Sequence, residues 1–162
     1  YSLTMRPGDP NAAGNHRKSM LQAVEDSLRR LQTEYIDVLY LHMWDARTPV
    51  EEIPPAFDDL VRQRKILYAG ISDTPASQVA RMQAIAVLRG WSPLVALQLP
   101  DSLAEGTGER ELLRVGADMG LGLTPWSPLA GGVLTGTYRR EDLERRQEGA
   151  AGVPDPRGGT CR

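Results

Sequence analysis

The 162-residue sequence contains a single cysteine and no apolar segment long enough to cross a bilayer. One thiol, Cys161, cannot form an internal disulfide, which fits a reducing compartment, with the cytosol as the default. The missing apolar segment predicts no membrane partner. The first residues also lack the cationic and apolar regions of a secretory signal, so we expect a cytoplasmic protein.

Positive charge is not in excess either, because 19 Lys and Arg residues stand against 21 Asp and Glu residues. The two signs are interspersed and leave no basic platform for phosphate groups, so we expect no nucleic-acid partner. A hydrophobic content of 41% and a charged content of 25% are typical of globular proteins. We therefore predict one unit over residues 1–162, with an irregular tail over residues 139–162 and no metal site.

Strand-forming and helical segments alternate along the chain. Hydrophobic periodicity predicts strands over residues 36–42, 66–72, 93–98 and 121–127, and helices over residues 16–33, 77–90 and 109–120, with a further helix around Phe57 and Leu60. The strand starts recur every 27 to 30 residues, which is the size of one βα unit. This regular period favours a segment of a βα barrel over an irregular α/β domain. An open doubly wound sheet would show a similar alternation.

The helix starts carry recognisable residues. Asn15 is expected to cap the first helix through its side-chain oxygen, and Thr74 to cap the third, ahead of a first-turn proline. The second helix contains Pro54 and Pro55, which remove two backbone donors. This pair predicts either a distorted first turn or a helix that begins at Pro55.

Each predicted strand ends on a polar or amphipathic group. These groups are His42, Ser72 with Asp73, Gln98, and Trp126 with Ser127. One histidine at a strand end is most simply a hydrogen-bonded structural residue. In a parallel barrel, however, the carboxyl ends of all strands meet on the face that carries the chemistry. Four successive polar ends therefore favour a shared site on one rim.

Four segments stand out, and they occur in the order SLRRLQTEYIDVLYLHMWD, DDLVRQRKILYAGISD, VLRGW and PWSPLAGGVLTGTY. Together they resemble the aldo-keto reductase family, particularly the branch that includes the potassium-channel β-subunits and bacterial relatives. The match runs from about Asn15 to Tyr138. The resemblance implies a parallel (β/α)8 barrel of the TIM type, of which this chain would form a partial barrel of about four βα units. It also implies the reduction of aldehydes and ketones by hydride transfer from NADPH.

The resemblance also implies roles for residues on the substrate side. His42 matches the family's active-site histidine, which sits beside the substrate carbonyl. A carbonyl that accepts hydride develops negative charge on its oxygen, so a fixed hydrogen-bond donor there lowers the barrier. Trp44 would line the substrate pocket, and the alternative is that it only packs at the rim.

On the cofactor side, Ser72 and Asp73 match the pair that holds the nicotinamide carboxamide, and Gln98 matches the third contact to that amide. Trp126 resembles the aromatic residue that stacks on the nicotinamide ring. A loop with backbone amides would wrap the pyrophosphate, and it consists of Ser127, Pro128, Leu129, Ala130 and Gly131, continuing to Gly132. Taken alone, this loop would be a plain turn.

Four positions depart from the family pattern. Asp73 stands where many relatives have Asn, which removes an amide donor and adds a charge. Pro100 and Asp101 replace the usual Glu and Tyr, and Thr137 replaces a Lys close to the cofactor phosphates. Each departure is expected to weaken cofactor binding, and none alone abolishes it.

The family's catalytic Asp, Tyr and Lys lie in segments that precede these motifs, and the family's eighth strand follows them. Tyr1 does not align with the catalytic Tyr, and Lys18 and Lys65 fall at the opposite face of the barrel. We therefore expect a fragment that is inactive alone, or a non-catalytic module that binds a nucleotide or a partner chain. A partial barrel exposes sheet edges, which predicts self-association.

Overall fold

The computed structural model describes residues 8–9, 11–104, 106, 108 and 111–136. The features predicted for Tyr1, Thr137, Tyr138, the tail 139–162 and Cys161 lie outside these residues. Helices and strands alternate in the order α1 (Arg17–Leu31), β1 (Ile36–Leu41), α2 (Ile53–Arg62), β2 (Ile66–Ser72), α3 (Ala76–Arg89), β3 (Leu94–Pro100), α4 (Leu112–Asp118) and β4 (Gly122–Trp126). Short 3-10 turns span Val50–Glu52 and Ala130–Thr135.

The four strands form one sheet in the order β1-β2-β3-β4, and every neighbouring pair is parallel. A doubly wound sheet would interrupt this order at its switch point. Parallel strands in chain order, each followed by a helix or loop that returns to the start of the next, are the arrangement of a βα barrel. The predicted partial barrel of about four βα units is therefore confirmed.

The helices cover one face of the sheet, which we call the outer face. Leu39, Leu41, Ile71 and Leu97 point into a buried apolar cluster on this face. The helices contribute Met20, Val24, Ile53, Ala56, Phe57, Leu60, Val79 and Met82 to it. Burying side chains of this size contributes about 1.5 to 3 kcal/mol each, so this layer is the main source of stability. Among the described residues, none of the helices has the length and apolar character needed to traverse a bilayer.

The first helix begins at a different cap from the one predicted. His16, rather than Asn15, is the N-cap of α1, and its Nδ1 accepts a hydrogen bond from the Ser19 N–H at 3.2 Å. An imidazole nitrogen can accept this bond as an Asn oxygen does. Asn15 is buried one residue earlier, where its own N–H donates to Asp45 at 2.6 Å. The cap of α1 therefore lies one residue later than predicted.

The third helix also differs from the prediction at its start. Pro75 is the N-cap of α3, and no side chain caps this helix. The Thr74 hydroxyl instead donates to the carbonyl oxygen of Ser72 at 2.8 Å and stabilises the turn that leaves β2. The second helix begins at Ile53 rather than at Pro55. Pro54 and Pro55 therefore lie in its first turn, directly after the 3-10 turn.

Asp58 fastens α2 to the loop that leads into β3. Its carboxylate is buried and accepts hydrogen bonds from the Ser92 N–H and hydroxyl, both at 2.9 Å, and from Arg62 Nε at 2.6 Å. Burial raises the pKa of Asp58, but the bonds from Ser92 and Arg62 outweigh burial and hold this pKa below its ordinary value. The ionised carboxylate is therefore the form that the fold selects.

We predict that Asp58→Ala lowers the free energy of unfolding by about 2 to 4 kcal/mol, because the Ser92 donors lose their charged acceptor. Urea denaturation at pH 7 measures this change. Asp59→Ala is the matched control, since Asp59 lies next to Asp58 but forms an exposed ion pair with Arg17. Exposed pairs contribute about 0 to 1 kcal/mol. Equal losses for the two variants would contradict the role given to Asp58.

Candidate active site

The predicted site residues lie toward the carboxyl ends of the strands, in a defined register. His42 directly follows β1, Ser72 is the last residue of β2, and Trp126 is the last residue of β4. Ser72 pairs with Gln98, and Gln98 pairs with Thr124. Gln98 is not at the very end of its strand, because β3 continues to Pro100. Ser72 and Gln98 are therefore neighbours across the sheet. Trp126 lies on β4 two residues beyond Thr124, the partner of Gln98.

Ser72 is the most deeply buried of these residues, at 1% exposure. Its hydroxyl oxygen has no hydrogen-bond partner among the described residues. A buried polar group in this state costs about 1 to 3 kcal/mol, because it gave up its bond to water without a replacement. Such a hydroxyl, placed beside the side-chain amide of Gln98, is suited to bind an incoming amide or carbonyl group.

Asp73 connects the loops that follow β1 and β2. Its backbone has a left-handed φ of 39°, which Asp tolerates better than most residues. Its carbonyl oxygen accepts a hydrogen bond from the Trp44 N–H at 3.2 Å. The loop that carries His42 and Trp44 is thereby held against the end of β2.

The two residues predicted for the substrate side have different environments. The His42 side chain is exposed to solvent beyond the end of β1. Trp44 is partly buried and packs against the apolar cluster. Trp44 thus packs at the rim, as the alternative reading of this residue expected. The exposed part of the Trp44 ring still faces solvent. His42 is free of such packing and is accessible to a small molecule.

Asp45 organises this loop and the segment that precedes α1. Its Oδ1 accepts from the N–H groups of Arg47 and Thr48, both at 2.8 Å. Its Oδ2 accepts from the Asn15 N–H at 2.6 Å and from the Thr48 hydroxyl at 2.9 Å. Burial raises the pKa of Asp45, but the hydrogen bonds from Thr48, Asn15 and Arg47 outweigh burial, so this pKa is lowered. Sequence reasoning gave Asp45 no role, although a short carboxylate after a strand often anchors a loop.

The segment after β4 is exposed and has an unusual backbone. Trp126 is 40% exposed, and the residues Ser127, Pro128 and Leu129 are also exposed. Left-handed φ angles occur at Ser127 (57°), Ala130 (49°) and Gly131 (64°). For Ser127 and Ala130 this conformation costs about 1 to 2 kcal/mol each.

The predicted pyrophosphate loop uses several of its amides internally. The N–H of Ala130 donates to the Ser127 carbonyl at 2.8 Å, and the N–H of Gly131 donates to the Ser127 hydroxyl at 3.2 Å. The N–H of Gly132 donates to the Leu129 carbonyl at 3.0 Å. A bound phosphate would have to share these donors. The internal bonds also hold the strained loop in its shape.

Sequence reasoning missed a hydroxyl pair on the inner face of the sheet, the face opposite the helices. The Tyr40 hydroxyl lies 3.2 Å from the Thr124 hydroxyl, and it connects β1 with β4. The alternation of side chains along β1 could have placed Tyr40 opposite Leu39 and Leu41. Its partner could not be found without the register of all four strands. In the part of the chain that the structure describes, His, Cys, Asp and Glu side chains form no group of three suited to a metal ion.

Parallel strands in chain order and helices on the outer face define part of a βα-barrel protein, and the polar side chains at the carboxyl ends form a candidate site on its rim. The model of the aldo/keto reductase family matches residues 6–153. The chain therefore belongs to the aldo/keto reductase family, and the family resemblance of the four motifs is confirmed. The potassium-channel β-subunit branch stays a prediction.

Several curated proteins are similar to this chain. A Saccharomyces cerevisiae protein named as an aryl-alcohol dehydrogenase, AAD14, is 36% identical over 139 residues, which cover 86% of this chain and 37% of the relative. The norsolorinic acid reductase of Aspergillus flavus is 44% identical over 122 residues, which cover 75% of this chain and 31% of the relative. The aldo-keto reductase AMT2 of Alternaria alternata is 42% identical, with 76% of this chain and 34% of the relative covered. The chain spans about a third of the length of these relatives.

We predict that Asp45 makes the rim loops sensitive to acid. Its pKa is lowered in the folded state, so its ionised form stabilises the fold fully above the ordinary Asp pKa of about 4. This contribution is lost as the pH falls through the lowered pKa. Asp45→Asn should therefore destabilise the protein at pH 7, and the difference from the wild type should shrink as the pH falls below about 4.

Urea denaturation midpoints between pH 7 and pH 2.5 measure this difference. Asp37→Asn is the matched control, because Asp37 is exposed on β1. A stability gap for Asp45→Asn that stays constant across this pH range would show that the carboxylate charge is not what holds the loop.

Proposed function

We propose that this chain forms the nicotinamide-binding and substrate-facing part of an NADPH-dependent aldo-keto reductase that acts on small aldehydes or ketones. The observation that carries the proposal is the buried Ser72 hydroxyl, which lacks a partner among the described residues and lies beside Gln98 in the sheet register. A carboxamide offers both a donor and an acceptor, so it matches a hydroxyl and a side-chain amide. Binding would satisfy the buried hydroxyl and recover the cost of its burial.

The remaining contacts follow the same geometry. Asp73 would lie next to the amide, with Trp126 available to stack on the nicotinamide ring from the neighbouring edge. The loop Ser127, Pro128, Leu129, Ala130 and Gly131 would contact the pyrophosphate. Because several amides of that loop are already hydrogen-bonded internally, we expect less affinity from this loop than from the amide subsite.

His42 would act on the substrate. When bound, the cofactor supplies a hydride to the carbonyl carbon. His42 is accessible at the end of β1 and would donate a hydrogen bond to the carbonyl oxygen, where negative charge develops. Trp44, held by the Asp73 carbonyl and by the apolar cluster, would form one wall of the substrate site.

The substrate class is proposed from two of the relatives. Their names state aryl alcohols and norsolorinic acid. The exposed surfaces of Trp44 and Trp126 on the rim would suit an aromatic substrate through ring stacking. An aryl aldehyde or aryl ketone is therefore the first substrate to test.

We also propose that residues 1–162 are one partial barrel domain of a cytoplasmic enzyme, and that they are inactive by themselves. The catalytic Tyr, Lys and Asp that the resemblance implies are not among the matched motifs, so no acid of the family's kind is present to protonate the alkoxide. A non-catalytic module that binds a nucleotide or a partner chain is the alternative. Self-association is proposed because the sheet exposes Tyr68 and Trp126 on its inner face.

We predict opposite effects of Ser72→Ala on stability and on cofactor affinity. Removing a buried hydroxyl without a partner should leave the free energy of unfolding unchanged or raise it by up to about 1 kcal/mol. The dissociation constant for NADPH should rise about fivefold to tenfold, which corresponds to one lost hydrogen bond. Urea denaturation and fluorescence titration with NADPH measure the two quantities.

Ser92→Ala is the matched control for Ser72→Ala. The Ser92 hydroxyl donates to Asp58 away from the rim, so this variant should lose stability and keep its NADPH affinity. A Ser72→Ala variant that unfolds more easily and binds NADPH as the wild type does would exclude Ser72 from the cofactor site.

We predict that residues 1–162 alone show no measurable NADPH oxidation with a panel of aldehydes that includes aryl aldehydes. The same residues, joined to upstream segments with the family's Asp, Tyr and Lys and to a downstream eighth βα unit, should show it. Loss of NADPH absorbance at 340 nm, roughly the maximum for the reduced ring, measures turnover. Robust turnover by residues 1–162 that His42→Ala abolishes would contradict the proposed division of roles.

A further inference from the structure

The inner face of the sheet carries an aromatic side chain that crosses two strands. Tyr40 starts on β1, and its ring covers Gly70 on β2. A Cβ atom built on Gly70 would lie 2.6 Å from the Tyr40 ring, so only glycine allows the ring to lie this close to the strand. The hydroxyl of this ring lies 3.2 Å from the Thr124 hydroxyl on β4.

This crossing lies directly beside the candidate amide subsite. Gly70 is two residues before Ser72 on the same strand, so the two residues share the inner face. Thr124 pairs with Gln98 in the register of β3 and β4. The Thr124 hydroxyl also lies 3.4 Å from the Leu97 carbonyl oxygen, to which it can donate. The Tyr40 side chain therefore forms the layer under Ser72 and Gln98, and the hydroxyl pair joins the strands that flank them.

The Tyr40 and Thr124 side chains are suited to hold β1 and β4 at a fixed distance. Tyr and Thr hydroxyls each donate and accept, and a phenol ring has only two side-chain torsions, so it spans a fixed distance at a low entropy cost. A sheet without such a connection can change its twist from strand to strand. A small change of twist would alter the separation between the Ser72 hydroxyl and the Gln98 amide.

We propose that Tyr40 and Thr124 are positioning residues that set the spacing of Ser72 and Gln98, and thereby the affinity for the nicotinamide carboxamide. The inference rests on the proposed function, because it assigns Ser72 and Gln98 to that amide. Tyr40 and Thr124 act through these two residues and not by touching the reacting atoms.

The test measures dissociation constants of the purified wild type, Tyr40→Phe, Thr124→Val and the double variant. The ligands are NADPH and 2'-phospho-ADP-ribose, which lacks the nicotinamide. Each single variant should bind NADPH about twofold to fivefold more weakly, as for the loss of one partly exposed hydrogen bond. The double variant should be no weaker than Thr124→Val, because both substitutions remove the bond between the two hydroxyls and only Thr124→Val also removes the bond to the Leu97 carbonyl oxygen. Affinity for 2'-phospho-ADP-ribose should not change.

Two further variants keep the test independent of folding defects. Tyr68→Phe removes a hydroxyl from the same inner face, two residues before Gly70, and should bind both ligands as the wild type does. Gly70→Ala displaces the ring without touching either hydroxyl, and should weaken NADPH binding about tenfold.

The outcomes separate this inference from the function on which it rests. If the wild type binds NADPH and the hydroxyl variants bind it equally well, the positioning role is wrong and the proposed function stands. Equal weakening for both ligands would also overturn the inference, because the pair would then only stabilise the sheet. The wild type could bind NADPH no more tightly than 2'-phospho-ADP-ribose, or bind neither ligand. In both cases the amide subsite and the inference fail.

Discussion

The packing of the helices on the outer face of the parallel sheet is the interaction on which the rest of the structure depends. The backbone bonds of a parallel sheet could form in several registers. The strands keep one register because Leu39, Leu41, Ile71 and Leu97 must all face the helices. A shift by one residue would turn these side chains away from the cluster. The same restriction places the alternate side chains on the inner face, where Tyr40, Ser72, Gln98 and Thr124 stand in neighbouring strands.

The rim depends on polar bonds rather than on apolar packing. Asp45 gathers three backbone N–H groups and one hydroxyl, and the Asp73 carbonyl holds the loop of His42 and Trp44 to the end of β2. Polar bonds of this kind fix directions, which suits a site where a donor must meet one atom of a ligand.

The burial of the Ser72 hydroxyl costs stability, and under the proposed function a ligand would satisfy this hydroxyl. The chain tolerates a buried hydroxyl without a partner among the described residues, and it holds Ser127 and Ala130 in left-handed conformations. Each of these features costs free energy that the apolar cluster must offset. Such costs concentrate at functional sites because a ligand, and not the protein alone, satisfies the groups concerned. The unpartnered Ser72 hydroxyl and the strained residues Ser127 and Ala130 all lie along the rim. They therefore support the same location for the candidate site as the family motifs do.

The sequence alone determined the βα alternation, the four strands and the family, because hydrophobic period and motif order are local properties of the chain. Strand ends at Leu41, Ser72 and Trp126 lie within one residue of the prediction. Other features were decided by contacts between distant residues. The N–H of Asn15 bonds to Asp45, 30 residues away, and β3 extended beyond Gln98 to Pro100 because β4 pairs with it there. The bond between Tyr40 and Thr124 joins residues 84 positions apart, and only the register of four strands brings them together.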